Sequence, residues 1–213
     1  MDPPDSGKTA SRGLTEGLPE DILFLGFTHA PLAALGPGIR VGVWTKGCGL
    51  RCPGCLAPEL QAAAPEDAVG AAALARWALE AAAGCGASGL TVSGGEPFYR
   101  PEAMRAFLEK VREGGLRDIL VYSGWRVQGL LEAWPWIPVL VSALVDGPFE
   151  ESRPTESPWK GSEGQGLTVF DPGLEGLYAR WRDSGERPLQ LVPFPGGLRI
   201  LGIPRIGAYD RIP

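Results

Sequence analysis

Residues 48–55 read Cys-Gly-Leu-Arg-Cys-Pro-Gly-Cys, which spaces Cys48, Cys52 and Cys55 as C-x3-C-x2-C. The stretch follows the apolar run from Ile39 to Trp44, so we expect a buried strand to end at it. Structural zinc takes four protein ligands, and three thiolates are one too few. A 4Fe-4S cluster held by three cysteines keeps one iron free of protein ligands, so it can bind a substrate as well as carry electrons. The stretch therefore favours a three-cysteine 4Fe-4S site at a strand end.

Two other uses of these cysteines stay open. The single histidine, His29, or the fourth cysteine, Cys85, could complete a zinc site, and two of the cysteines could form a disulfide beside a spare thiol. Cys85 follows an Ala-rich stretch, where a lone cysteine is commonly a small buried residue. Four cysteines in a reducing compartment favour metal binding over disulfides.

Length and charge limit the fold and the partners. With 213 residues, the chain is one domain in length but short for an eight-stranded α/β barrel, which takes about 250 residues. It carries 20 basic and 25 acidic residues without a basic cluster, so no nucleic-acid partner is indicated. No long apolar span or signal segment is present, so we expect a cytoplasmic protein without a membrane partner.

At the three cysteines the chain resembles the radical SAM superfamily, whose signature is C-x3-C-x2-C. The superfamily usually has an aromatic residue before the third cysteine, where this chain has Gly54. Cys-Pro-Gly-Cys at residues 52–55 resembles the activases of anaerobic ribonucleotide reductase in particular. The resemblance implies a 4Fe-4S cluster on Cys48, Cys52 and Cys55, with S-adenosylmethionine bound to the open iron. It also implies a flavodoxin- or ferredoxin-type electron donor.

A second stretch, Gly94-Gly95-Glu96-Pro97, directly follows the expected strand 89–93. Glycines at a strand end let the backbone approach a charged ligand closely, and proline fixes the turn. The four residues resemble the Gly-Gly-Glu-Pro motif of radical SAM enzymes, which implies that they bind the methionyl ammonium of S-adenosylmethionine. An ordinary glycine-rich turn is the alternative, and under it a side chain at Gly94 or Gly95 would not affect ligand binding.

Three further segments resemble the activases. Gly-Pro-Gly-Ile-Arg at 36–40 precedes the first parallel strand, and Ser-Gly-Trp stands at 123–125. Val-Asp-Gly-Pro-Phe at 145–149 precedes Trp-Lys-Gly-Ser-Glu-Gly-Gln at 159–165, where Lys160 and Gly164 replace the usual arginine and asparagine. Lys160 keeps the charge but not the two-pronged geometry of arginine.

Asp146 is predicted to end a strand. A carboxylate in that place can contact a ribose or a cation, and the alternative is that it caps the next turn. The polar segment 150–158 that follows is placed to cover the site or meet a partner.

These patterns predict an incomplete (β/α) barrel of the radical SAM type, with about five or six mostly parallel strands. We expect a flexible tail at 1–20 and one domain at 21–213, of which 171–213 is a helix and hairpin extension. The extension shows no catalytic motif. Two roles stay open for it, which are to complete the structure and to dock a partner. The predicted strands are 22–27, 39–44, 89–93, 118–122, 138–145 and 166–170, a hairpin joins 189–192 to 197–202, and the predicted helices are 65–83, 102–113, 127–133 and 172–184.

The resemblance implies an oxidoreductase that cleaves S-adenosylmethionine reductively to a 5'-deoxyadenosyl radical and installs a glycyl radical on a partner, anaerobic ribonucleotide reductase above all. One alternative is a small radical SAM enzyme that acts on a metabolite, such as a deazapurine synthase. That family has Trp and Asp around the third cysteine, where this chain has Gly54 and Leu56. The other alternative is a non-catalytic iron-sulfur or zinc protein.

Overall fold

A computed structural model describes Thr15 and residues 17–205 of the chain. Most of the predicted tail at 1–20, and residues 206–213 of the predicted extension, lie outside the described residues. The strands are β1 (Ile22–Leu32), β2 (Arg40–Thr45), β3 (Ala68–Gly70), β4 (Gly89–Gly94), β5 (Asp118–Tyr122), β6 (Ala143–Asp146), β7 (Gly166–Val169), β8 (Gln190–Phe194) and β9 (Gly197–Leu201). The helices are α1 (Ala71–Cys85), α2 (Pro101–Glu113), α3 (Val127–Ala133), α4 (Ile137–Leu140) and α5 (Glu175–Asp183). Short 3-10 turns lie at Pro58–Leu60, Pro65–Asp67, Pro97–Tyr99 and Pro172–Leu174.

Seven strands form one sheet in the order β3-β1-β2-β4-β5-β6-β7, and β8 and β9 form a separate hairpin. Strands β2, β4, β5 and β6 are neighbours and run parallel. Strands β1 and β7 pair antiparallel with the two ends of this group, and β3 pairs antiparallel with β1. The mixed α/β class with a mostly parallel central sheet is confirmed. The sheet has β3 and β7 as its edges, so no closed barrel forms in the described part, and the radical SAM barrel type stays a prediction.

The two faces of the sheet have different coverings, because successive strand residues point to opposite sides. On one face, β-branched and leucine side chains pack with α1 and α2 into the largest apolar cluster. Four side chains of α2, those of Met104, Phe107, Leu108 and Val111, are fully buried there. On the other face, Leu120 and Val145 pack with Tyr178 of α5, and Trp44 packs with Leu201 of the hairpin. The parallel strands are thus buried on both sides.

The segment 36–40 builds a buried ion pair at the amino ends of the parallel strands. Arg40, which is fully buried, donates to Asp118 Oδ2 at 2.6 Å and to Thr91 Oγ1 at 2.8 Å, and Tyr178 donates to Asp118 Oδ1 at 2.6 Å. A Cβ on Gly36 would lie 2.7 Å from the Arg40 side chain. This glycine therefore makes room for the arginine, and the segment is structural and lies at the opposite end of the strands from the cysteines.

Two predicted elements are wrong in part. The predicted helix 65–83 is a 3-10 turn, then β3, and only then α1, because Ala68–Gly70 pairs with Ile22–Phe24 of β1. The predicted strand 138–145 begins only at Ala143, because Ile137–Leu140 forms a helical turn. Pro138 fits that turn because the first helical residues need no N–H partner inside the helix.

The other predicted elements are present, with ends shifted by a few residues. Strand β1 is longer than predicted and runs through Leu32. The helix predicted at 172–184 begins as a 3-10 turn before α5. No helix in the described part of the chain is long and apolar enough to cross a membrane.

Candidate functional site

A cavity of about 220 Å³ lies at the carboxyl ends of the parallel strands. Trp44 of β2, Gly94 of β4 and Tyr122 of β5 line it, and so does Gly147, which follows β6. Parallel strands bring their carboxyl ends to one edge of a sheet, and loops at that edge can supply the chemistry. Cys48, Cys52 and Cys55 all line this cavity.

The cysteine loop is anchored at its base by backbone hydrogen bonds. Lys46 N–H donates to Phe24 C=O at 2.8 Å, and Cys48 N–H donates to Gln61 C=O at 2.9 Å. Further along, Cys55 N–H donates to Cys52 C=O at 3.2 Å, which closes a turn between these cysteines. Gly54 has a φ of 66° in this turn, which a glycine adopts without strain. The prediction of a strand that delivers the cysteines at its carboxyl end is confirmed.

All four cysteines are free thiols. Burial raises the pKa of Cys48, and backbone N–H groups of Leu50 and Arg51 that point to its sulfur act in the opposite direction. Burial likewise raises the pKa of Cys52, against a backbone N–H from Phe149. Such N–H donors favour the thiolate, and hydrogen bonds to ligating sulfurs also tune the potential of an iron-sulfur cluster.

The three loop thiols line one cavity, and the two other candidate ligands do not. Within the described residues, no three side chains of His, Cys, Asp or Glu are grouped as the ligands of one metal ion would be. His29 contacts Gln190, and Cys85 lies at the end of α1, and neither side chain lines the cavity. A 4Fe-4S cluster binds each thiolate to a different iron, so its ligands need not converge on one point. Among the described residues, therefore, neither His29 nor Cys85 lies at the cavity as the fourth ligand that the zinc alternatives require.

Gly94 and Gly95 let the end of β4 lie directly against the base of the cysteine loop. Gly95 N–H donates to Thr45 C=O at 2.8 Å. A Cβ on Gly94 would lie 2.3 Å from backbone atoms of Thr45, and one on Gly95 would lie 2.6 Å from the carbonyl oxygens of Gly47 and Leu60. Both glycines also line the cavity. These two glycines therefore let the end of β4 contact the base of the cysteine loop. A side chain at either position would disturb that loop.

Glu96 is fully buried, and its carboxylate accepts hydrogen bonds from neighbouring residues of the chain. Its Oε1 accepts from Phe98 N–H at 3.1 Å and from Ser123 Oγ at 2.9 Å, and its Oε2 accepts from Gly124 N–H at 2.9 Å. Burial raises the pKa of Glu96 to about 7, although all three hydrogen bonds act to lower it. Glu96 and Pro97 are buried but do not line the cavity. Glu96 thus ties the end of β4 to the turn after β5, and Ser123 and Gly124 of that turn do line the cavity.

Asp146 is buried at the end of β6, as the sequence predicts. Its Oδ2 accepts from Val127 N–H at 3.2 Å, at the start of α3, and lies 3.9 Å from Nη1 of Arg126. Its side chain does not line the cavity. The carboxylate thus contacts the start of α3, which precedes β6 in the chain, and not the turn that follows β6. Its contact with a ribose or a cation stays a prediction.

Gln165 joins the loops that follow β6 through hydrogen bonds of its side-chain amide. Gln165 Oε1 accepts from Gly161 N–H at 2.8 Å, and its Nε2 donates to Gly147 C=O at 3.0 Å. Lys160 donates to the Glu163 carboxylate at 3.1 Å and so finds its partner within its own loop.

Arg187 donates to Ser157 C=O at 2.8 Å and to Ile203 C=O at 3.0 Å. It therefore ties the polar segment 150–158 to the chain after the hairpin. The sequence gives no signal for this contact, because Arg187 belongs to no motif.

The C-terminal hairpin forms one wall of the cavity, and the sequence does not predict this. Arg199 and Leu201 of β9 line the cavity, and so does Ile203. Leu201 and Ile203 pack with Leu60 and Trp44 in one apolar cluster. The hairpin has an ordinary strand pattern, and only the tertiary structure places it at the site.

The family described as "4Fe-4S single cluster domain" matches residues 34–168, more than half of the chain. An anaerobic ribonucleoside-triphosphate reductase-activating protein of Enterobacteria phage T4 is 29% identical over 147 residues, which cover 65% of this chain and 89% of the relative. A protein of the same name from Salmonella typhi is 28% identical over 142 residues, 61% of this chain and 88% of the relative. The predicted resemblance to these activases is confirmed.

Proposed function

The chain belongs to the family of 4Fe-4S single cluster domains, and on this premise we propose that it is a radical SAM enzyme that installs a glycyl radical on a partner enzyme. The partner in this proposal is an anaerobic ribonucleotide reductase, because the relatives are named as activators of that enzyme. The observation that carries the proposal is the shared cavity of Cys48, Cys52 and Cys55 with Gly94 and Gly95.

Cys48, Cys52 and Cys55 would hold the cluster. When bound, the reduced cluster would supply one electron for the cleavage of S-adenosylmethionine to methionine and a 5'-deoxyadenosyl radical, and transfer of a hydrogen atom from a glycine of the partner to that radical would leave 5'-deoxyadenosine and the glycyl radical. In this proposal one iron has no protein ligand, because neither His29 nor Cys85 lines the cavity with the three thiols.

The ends of β4 and β5 would position the ligand. Gly94, Gly95, Ser123 and Gly124 line the cavity, and in this proposal their backbone groups would contact the ammonium or the ribose. Glu96 acts as a positioning residue in this proposal, because its carboxylate holds the two strand ends together. Pro97 supports the same turn as the first residue of a 3-10 turn.

The proposed cluster can be tested by anaerobic reconstitution. We expect about four irons per chain, with absorption that bleaches on reduction, and slow S-adenosylmethionine cleavage with dithionite. Cys48→Ala, Cys52→Ala and Cys55→Ala should each lose the cluster, and the matched control Cys85→Ala should keep it. Loss of the cluster in Cys85→Ala, together with an intact cluster in one of the three loop variants, would contradict the ligand assignment.

A further inference from the structure

Arg199 is the cationic side chain among the described residues that line the cavity. It lies on β9, and so outside residues 34–168, which carry the family match. The same cavity has one acidic side chain in its lining, Glu59, in the turn just after the cysteine loop. The family match therefore does not account for this arginine.

Aromatic rings hold the guanidinium group of Arg199 in place. Its central carbon lies 3.8 Å from the ring centre of Phe27 and 4.6 Å from that of Phe194. Phe27 in turn stacks on Trp44, with ring centres 4.4 Å apart and planes inclined by 15°. Phe27 and Trp44 also line the cavity. These contacts attract the cation to the rings and order its side chain without supplying hydrogen-bond acceptors.

The hydrogen-bonding capacity of this guanidinium group is unused within the described part of the chain. Arg199 forms no ion pair or side-chain hydrogen bond there, whereas Lys46 at the base of the cysteine loop pairs with Asp67 at 2.8 Å. Guanidinium presents five N–H donors in a planar fork that matches a carboxylate. Glu59 likewise forms no ion pair among the described residues, so the cavity offers one free cation and one free anion.

We propose that Arg199 binds the carboxylate of the ligand in this cavity, and that the ligand is an amino acid derivative. The inference rests on the proposed function, in which this ligand is S-adenosylmethionine and its methionyl carboxylate meets Arg199. The hairpin thereby becomes part of the binding site. A volume of about 220 Å³ suits part of a small ligand, and a charge-assisted pair contributes about 10- to 100-fold in affinity.

The test measures S-adenosylmethionine binding to the reconstituted protein by equilibrium dialysis, with iron content as a second readout. Arg199→Gln should bind about 10- to 100-fold more weakly at unchanged iron content. The matched control is Arg180→Gln, because Arg180 is an exposed arginine of α5 that does not line the cavity. Decarboxylated S-adenosylmethionine should bind almost equally to the wild type and to Arg199→Gln, because the group that Arg199 contacts is missing.

Three outcomes would overturn the inference and leave the proposed function standing. One is equal S-adenosylmethionine affinity in the wild type and Arg199→Gln, and another is the same loss of affinity for both ligands. The third is unchanged binding with impaired activation of the partner, which would place the anion on the partner. If Arg199→Gln loses iron, the binding experiment is repeated with Arg199→Lys. We expect this variant to bind S-adenosylmethionine more weakly than the wild type, because lysine lacks the planar fork of arginine. Failure of the wild type to bind S-adenosylmethionine would contradict the proposed function itself.

Discussion

Glu96 shows how a single side chain can join two segments of a site without lining its cavity. Its carboxylate accepts three hydrogen bonds from residues after β4 and β5, and those bonds favour the ionised form. Burial favours the neutral form and has the larger effect, so the pKa rises from 4.5 to about 7. The Gly-Gly-Glu-Pro motif marks Glu96 as a candidate site residue, and the structure shows that its carboxylate joins the residues that follow β4 and β5.

This raised pKa predicts a pH-dependent stability. Below pH 4.5 Glu96 is neutral in both the folded and the unfolded chain, so its contribution to stability is fully present. As the pH rises toward 7, the unfolded chain ionises first and the folded state loses up to about 3 kcal/mol relative to it. Urea unfolding of the wild type and of Glu96→Gln between pH 5 and pH 8 should show a flatter pH dependence in the variant. Identical slopes would contradict the assignment.

Arg40 gives a second prediction at the residue scale. Arg40→Met should destabilise the protein by about 3–5 kcal/mol, because it leaves the Asp118 carboxylate buried without its cation. The matched control is Arg105→Met, which removes an exposed pair with Glu109 and should cost about 0.3–0.5 kcal/mol. Denaturant unfolding of both variants checks the difference, and similar losses would show that the buried pair contributes little.

At the scale of elements, the end of β4 lies directly against the base of the cysteine loop. Gly95→Ala should lower cluster loading, because its Cβ would lie 2.6 Å from two backbone carbonyl oxygens. Gly49→Ala is the matched control within the loop, where an added Cβ meets nothing within 4 Å. Iron analysis after reconstitution compares the two. Full iron content in Gly95→Ala would show that the loop adapts without cost.

The sequence predicts the elements that carry strong local signals. The strands before the cysteines and before Gly94 have buried, β-branched patterns, and motifs at their ends place them at one edge of the sheet. Strand β3 could not be predicted, because three residues carry no periodicity and their strand state depends on pairing with β1. Arg199 could not be predicted either, because its place at the cavity depends on how the hairpin packs.

At the scale of the whole molecule, the site is enclosed by the sheet edge, the cysteine loop and the hairpin. Helices α1 and α2 cover the opposite face, and the cavity lies on the face that carries Trp44 and Leu201. The loops after β6 are fixed near the cavity by Gln165 and Arg187. In our proposal a flexible glycine-containing loop of the partner enters from this side, and positioning of the reacting atoms then sets much of the rate.

The most direct measurement is the electron paramagnetic resonance spectrum of the reduced protein mixed with S-adenosylmethionine and an anaerobic ribonucleotide reductase. We expect a glycine-centred radical that requires S-adenosylmethionine. Cys48→Ala, Cys52→Ala and Cys55→Ala should each abolish it, and Cys85→Ala should preserve it. Deoxyadenosine formation without that signal, together with faster cleavage when a purified metabolite is added, would contradict it and favour a metabolite enzyme.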